Sequence, residues 1–217
     1  MSSHTFKLNM EENKKRNSNL TRRSLLDAVE AVLSEEGYHA LTVMNICNRA
    51  GVSKGMIKHH FGSLTNLLNA YFHENYFWMP ENYTLDLTSR NSRDHLAAVL
   101  KQQFHKMLSN KGMQKFIYWQ LGETDKITSG IAAVREMEAN KFLDKFKVHF
   151  IGSDIDLEPL VALLMKGLYA LVLQCITHKS TVFNVDITQE RDQLRVSRTI
   201  DQILTLVWQA AERKDNL

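Results

Sequence analysis

The stretch from Thr42 to Phe61, TVMNICNRAGVSKGMIKHHF, decides the fold. Thr42 is a good helix cap, and Val43, Ile46, Cys47 and Ala50 follow at the spacing of one helical face. Gly51 then breaks the helix, Val52 supplies a β-branched core residue, and Ser53 caps a second short helix that runs to His60 or Phe61 with Ile57 inward. Two short helices, a small residue where they touch and a glycine at the tight turn make a helix-turn-helix, whose second helix presents its outer face to a major groove. Small or flexible residues at its start let the backbone approach phosphates. Lys54 and Lys58 lie four residues apart on one face and suit phosphate or guanine contacts, and His59 and His60 extend that surface.

Working outward, Thr21 reads as a cap for a helix carrying Leu25, Leu26, Val29, Val32 and Leu33, stopped by Gly37. A fourth helix begins at Ser63 and carries Leu67, Leu68, Tyr71 and Phe72. Residues 1–19 have no periodicity and read as a mobile basic arm. Beyond a loop at Pro80, longer helices are expected at 92–109, 113–123, 128–150, 158–178 and 189–212, with Pro159 in a first turn where its missing N–H is harmless. Only two prolines occur in 217 residues, which permits long uninterrupted helices. The expected fold is all-α with about nine helices: the arm at 1–19, a three-helix helix-turn-helix domain at 20–65, and a helical regulatory and dimerisation domain at 66–217.

Charge divides the chain in the same place. Residues 1–65 hold nine Lys and Arg against six Asp and Glu, and the remainder is balanced, so the net +3 belongs to the first third. That asymmetry is equally compatible with a solvated tail and with a nucleic-acid-facing end. Two widely separated cysteines exclude a disulfide framework and a cysteine zinc site, and Cys47 on an inner face reads as a small hydrophobe. The polar N-terminal stretch has no signal-peptide core. Residues 160–176 are apolar, but Lys166 and Gln174 interrupt them, so a cytoplasmic location without a membrane span is expected. His59 and His60 point about 100° apart on a helix and chelate a metal poorly. Asp154, Asp156 and Glu158 lack the glycine and terminal glutamate of a calcium loop and read as negative charge at a helix start. No Walker A loop, GxSxG, HExxH or GxGxxG is present, so no catalytic residue, cofactor or metal is assigned.

Residues 21–72 resemble the DNA-binding module of the tetracycline-repressor (TetR/AcrR) family of transcriptional regulators. The likeness is carried by Glu36-Gly37-Tyr38, Thr42, Ile46, the run Ala50-Gly51-Val52-Ser53-Lys54-Gly55, the ending His59-His60-Phe61, and Gly62-Ser63 leading to Leu67-Leu68. It implies that Thr42 touches phosphate, that Lys54, Gly55 and Met56 meet base edges and backbone, and that Lys58, His59 and His60 contact phosphate or base. Members usually carry Tyr at the position of Lys58 and Lys at that of Leu64, so a phosphate contact has moved along the chain. Met56 stands where a small or polar residue is more usual, which suits apolar contact with a thymine methyl.

The same resemblance implies a homodimer on a palindromic double-stranded operator, formed by the last two helices through Leu164, Leu168, Leu171, Ile200, Leu204, Val207 and Trp208. One recognition helix gives too little contact for a specific site, whereas two read a palindrome. It also implies a pocket for an unknown small-molecule effector, with Phe104, Met107, Phe116, Trp119, Met137, Met165 and Tyr169 as apolar lining and His105, Gln120 and Lys141 as polar handles; taken one by one, the apolar residues read as ordinary core, and only as a set do they suggest a cavity. A repressor released by an inducer is the leading expectation. The alternatives are a ligand-independent regulator or activator of the same fold and, more remotely, an all-helical enzyme or carrier, which would need a catalytic cluster.

Overall fold

The structure is a computed structural model that describes residues 3–76, 92–123 and 126–213. The Pro80 loop lies outside the described residues, as do the side chains of Lys7 and Lys14. The helices are α1 (Ser3–Glu35), α2 (Val43–Ala50), α3 (Gly55–Phe61), α4 (Leu64–Tyr76), α5 (Ser92–Ser109), α6 (Lys111–Gly122), α7 (Lys126–Asp144), α8 (Leu157–His178) and α9 (Glu190–Glu212). Single 3-10 turns occur at Tyr38–Ala40 and Lys147–Phe150, and the described residues contain no strand beyond one isolated bridge, Val182 to Val185. The fold is all-α.

Three local expectations are corrected. Residues expected as a mobile arm form the first half of α1, because no Gly or Pro interrupts the chain between Ser3 and Glu36. Thr21, expected as a cap, therefore sits inside the helix, where its hydroxyl donates to the Asn17 carbonyl at 3.0 Å. The helix expected to reach residue 150 stops at Asp144: Lys145, Phe146 and His149 each bond the carbonyl three residues back, which tightens the chain into the 3-10 turn.

The chain forms two compact units, residues 1–76 with 119–131, and residues 77–118 with 132–217. In the first unit, Leu25, Val29, Val32 and Leu33 of α1 are buried, as are Ile46 of α2, Ile57 of α3, and Leu67 and Tyr71 of α4. Their three- and four-residue spacing turns one stripe of each helix into a shared core. The Tyr71 hydroxyl donates to Glu30, which ties α4 to α1. Trp119 stacks on Tyr38 with ring centroids 3.2 Å apart, and Glu123 meets His39 at 3.2 Å.

In the second unit α5 packs against both α8 and α9. Leu96, Leu100, Phe104 and Met107 of α5 are buried, with Val161, Met165, Tyr169 and Val172 of α8 and Ile200, Leu204 and Trp208 of α9. Asp156 caps α8 by accepting from the Glu158 N–H at 3.2 Å, and Lys147 bridges Asp144 and Glu158, so the acidic run is a helix start. Helix α8 is long and apolar enough to cross a membrane by composition alone, yet it supplies much of this core.

Between α8 and α9 the chain turns at Phe183 and Asn184, both left-handed (φ 50° and 60°), closed by the Val182–Val185 bridge. Buried Asp192 holds the end of this loop: it accepts from the Asp186 N–H and from Arg195, both at 2.9 Å. These bonds, the backbone one first, hold its carboxyl at a pKa of about 2. A depressed carboxyl contributes stability that is complete above the ordinary value of about 4 and is lost as pH falls toward the folded value. Asp192→Asn should therefore melt lower at neutral pH and show a shallower decline between about pH 4 and pH 2. Thermal unfolding followed by circular dichroism across that range checks this.

Candidate nucleic-acid interface

Every feature of the α2–α3 corner follows from a residue whose backbone it needs. Thr42 caps α2, its hydroxyl accepting from the Asn45 N–H at 3.2 Å. At the other end Gly51 is left-handed (φ 66°), and the Val52 N–H reaches back to the Cys47 carbonyl at 3.0 Å. That bond, with Gly51 N–H to Asn48, closes the helix end as glycine-terminated helices commonly close. Cys47 is buried, and burial raises its thiol pKa, as fits an inert core residue.

Helix α3 begins one residue later than its expected cap. Lys54 occupies the capping position without a side-chain bond, and Ser53 contributes its carbonyl, which accepts from the Met56 N–H at 3.0 Å. Ile57 and Phe61, four residues apart, are buried. Lys54, Gly55, Lys58 and His59 are consequently exposed on the other side, with Met56 and His60 half-buried at the edges. Ser63 caps α4 by accepting from the Asn66 N–H at 3.1 Å, and Asn66 donates to the Phe61 carbonyl at 2.9 Å, so α3 is fixed at both ends.

The cations around the α2–α3 corner sort into two groups. Arg49 bonds Glu35 at 2.5 Å and Glu36 at 3.3 Å. Arg22 lies 4.5 Å over the Phe61 ring and pairs with Glu74, and Arg23 pairs with Asp27 and Glu74. Neither Lys54 nor Lys58 pairs with an acid among the described residues. The sequence gives no sign of this sorting, because Arg22 and Arg23 find Glu74 about 50 residues away only once α1 and α4 pack. The His59 and His60 rings meet edge to face at 4.8 Å. Burial first, then His59 and Arg22, lowers the His60 pKa, which favours its neutral form. The described residues hold no cluster of three metal-ligating side chains.

Residues 25–71 match the family described as bacterial regulatory proteins, tetR family. The match takes in the helix-turn-helix segment and leaves the rest of the chain uncovered. Similar proteins include the HTH-type transcriptional regulator BetI of Pectobacterium atrosepticum, 29% identical over 99 residues that cover 44% of this chain and 51% of that one. BetI of Serratia proteamaculans is 43% identical over 51 residues, covering 24% of this chain and 26% of its own, and BetI of Escherichia coli matches to the same extent. The chain spans about half the length of the first of these relatives and less of the others.

The other residues singled out from the sequence fall as follows. Phe104, Met107, Phe116, Met165 and Tyr169 are buried in the second unit, His105 is exposed, Met137 is half exposed, and Lys141 pairs with Glu138 at 2.9 Å. Trp119 and Gln120 belong to the first unit. Of the expected dimer residues, Leu168, Ile200, Leu204 and Trp208 are buried within the protomer, while Leu164, Leu171 and Val207 are half-buried. Exposed instead are Leu163 (75%) and Leu206 (66%).

Two glycines separate backbone need from surface need. A side chain meets open space at both Gly51 and Gly55, but only Gly51 has positive φ. Gly51→Ala should lose about 1–2 kcal/mol of stability, the left-handed penalty, whereas Gly55→Ala should lose none, as read by urea unfolding. His60 gives a pH test. Its folded pKa lies below the ordinary 6.5, so stability is complete above that value and falls as pH drops through the folded pKa. His60→Asn should flatten that decline in melts between about pH 7 and pH 5.

Proposed function

We propose that the chain is a sequence-specific DNA-binding transcriptional regulator that acts as a homodimer, repressing until a small molecule releases it. The carrying observation is the pair Lys54 and Lys58, without an acidic partner among the described residues, on the outer face of a helix whose inner face, Ile57 and Phe61, is buried. Cations without a protein partner on a short, rigidly seated helix are what a phosphate backbone requires. Gly55 between them leaves room for close approach, and the His59 ring is suited to hydrogen-bond a base edge. Met56 offers the apolar contact for a thymine methyl. The protein is a binding protein, not an enzyme, and works in the cytoplasm.

The dimer is supported by apolar surface that the protomer leaves uncovered. Leu163 and Leu206 are exposed on α8 and α9, and Phe183 is 97% exposed at a left-handed position that a bulky side chain adopts only at a penalty. Beside Phe183 lies a depression of about 480 Å³ lined by Gly167, Ala170, Leu171 and Gln174. An exposed aromatic next to a shallow apolar groove on one face suits a self-complementary two-fold contact. A charged residue at Leu168 or Leu204 would unfold the protomer, so Leu163→Arg and Leu206→Glu are the informative variants. Each should give a folded monomer in light scattering, with DNA affinity reduced at least tenfold.

DNA binding is tested by selecting a site from random duplexes and titrating it by fluorescence anisotropy at several salt concentrations. The selected site should be two-fold symmetric. Lys58→Ala should weaken binding and lower the log–log salt slope by roughly two in a dimer, about one per lost phosphate contact. Gly55→Ala should weaken binding without loss of stability. Failure to enrich any sequence would overturn the reading.

A further inference from the structure

Between Glu12 and Asp27 the sequence contains no acid, and Lys14, Lys15, Arg16, Arg22 and Arg23 all fall in that interval. The whole run lies on α1, which is continuous from Ser3 to Glu35. Its inner end touches the candidate interface. Arg22 rests 4.5 Å over the ring of Phe61, the last residue of α3, and its charge bears on the neighbouring His60. The first buried residue of α1 among those described is Leu25. The helix therefore leaves the core of its unit beside the C-terminal end of α3.

Charge is distributed unevenly along that departing stretch. Arg22 and Arg23 are matched by Glu74 and Asp27. Lys15 and Arg16 are exposed, and neither pairs with an acid among the described residues. They precede Arg22 by seven and six residues, about 9–10 Å along the axis at a rise of about 1.5 Å per residue. Residues 11–19 contain no apolar side chain, so this part of α1 has no stripe to dock on a protein core or to enter a lipid surface. What it offers is positive charge carried on a helix past the end of α3. A duplex held by the outer face of α3 continues beyond the half-site, with one negative charge per roughly 1.7 Å of its axis.

We propose that Lys15 and Arg16 form a second DNA contact, on the phosphates that flank the half-site read by α3. Neighbours on a helix diverge by about 100°, so the two side chains reach separate phosphates instead of converging on one. A contact with the backbone alone adds affinity and lengthens the bound segment without adding sequence preference. The proposal rests on the regulator reading and extends its interface along the duplex.

The test compares the full chain with two double variants, Lys15→Ala with Arg16→Ala, and Lys15→Arg with Arg16→Lys. Two duplexes are used: the selected symmetric site trimmed flush, and the same site with about ten base pairs of unrelated sequence on each side, roughly 34 Å. In anisotropy titrations the alanine pair should bind the flanked duplex at least tenfold more weakly, with a log–log salt slope lower by roughly four in a dimer, about one per lost contact. On the flush duplex it should match the unaltered chain, and its melting temperature should not move. The exchanged pair, which keeps both charges, should match the unaltered chain on both duplexes. Unchanged affinity of the alanine pair on the flanked duplex, an equal loss on both duplexes, or an exchanged pair as weak as the alanine pair overturns the proposal. If the unaltered chain binds the flush duplex and the alanine pair loses nothing, only the flanking contact fails; if no duplex is selected at all, the regulator reading fails with it.

Discussion

The rotational setting of one seven-residue helix is the constraint on which the first unit depends. Burying Ile57 and Phe61 stabilises the module by about 1.5–3 kcal/mol per side chain, whereas an exposed ion pair contributes about 0–1 kcal/mol. Burial therefore decides which way α3 faces, and electrostatics follows. A turn of about 100° would bury Lys58 and expose Ile57, losing the apolar term and adding an unpaired charge to the core. The same four-residue period that hides Ile57 and Phe61 lines up Lys54 with Lys58 and Gly55 with His59. Gly51 and Asn66 then keep the helix from sliding along its own axis.

Charge is organised around that setting. The N-terminal third carries all of the net positive charge, but that total hides its distribution. Arg22, Arg23 and Arg49 are spent on Glu74, Asp27, Glu35 and Glu36 at the seams between α1, α2 and α4. These surface pairs add little stability. Their consequence is that Lys54 and Lys58 keep charge that no acid among the described residues neutralises, and local positive charge steers a polyanion.

How much was legible in the sequence follows from how local each cause is. Helix type and most boundaries were legible, because α5, α8 and α9 announce themselves by apolar periodicity and by Pro159 near a helix start. The corner was legible too, since Thr42 and Gly51 act within a few residues of themselves. The start of α1 was not, because a polar helix has no apolar stripe to reveal it and only the missing breakers hint at it. Nor was the choice between core and surface on α8 and α9. Leu163 and Leu168 belong to the same apolar run, and only packing against α5 decides that Leu168 is buried and Leu163 is not. Nor does the sequence reveal that Gln103 is buried, because a glutamine between apolar residues looks like solvent surface until a neighbouring helix covers it.

The second unit thus combines a dense apolar core with two features that core packing does not account for, an exposed aromatic turn at Phe183 and a buried amide at Gln103. The central claim, however, concerns α3. Hydrogen exchange read by mass spectrometry, with and without a selected duplex, tests it most directly. Binding through the outer face of α3 predicts slowed exchange in peptides spanning residues 53–60 and around Thr42. Unchanged exchange there, with protection on another surface, would contradict it.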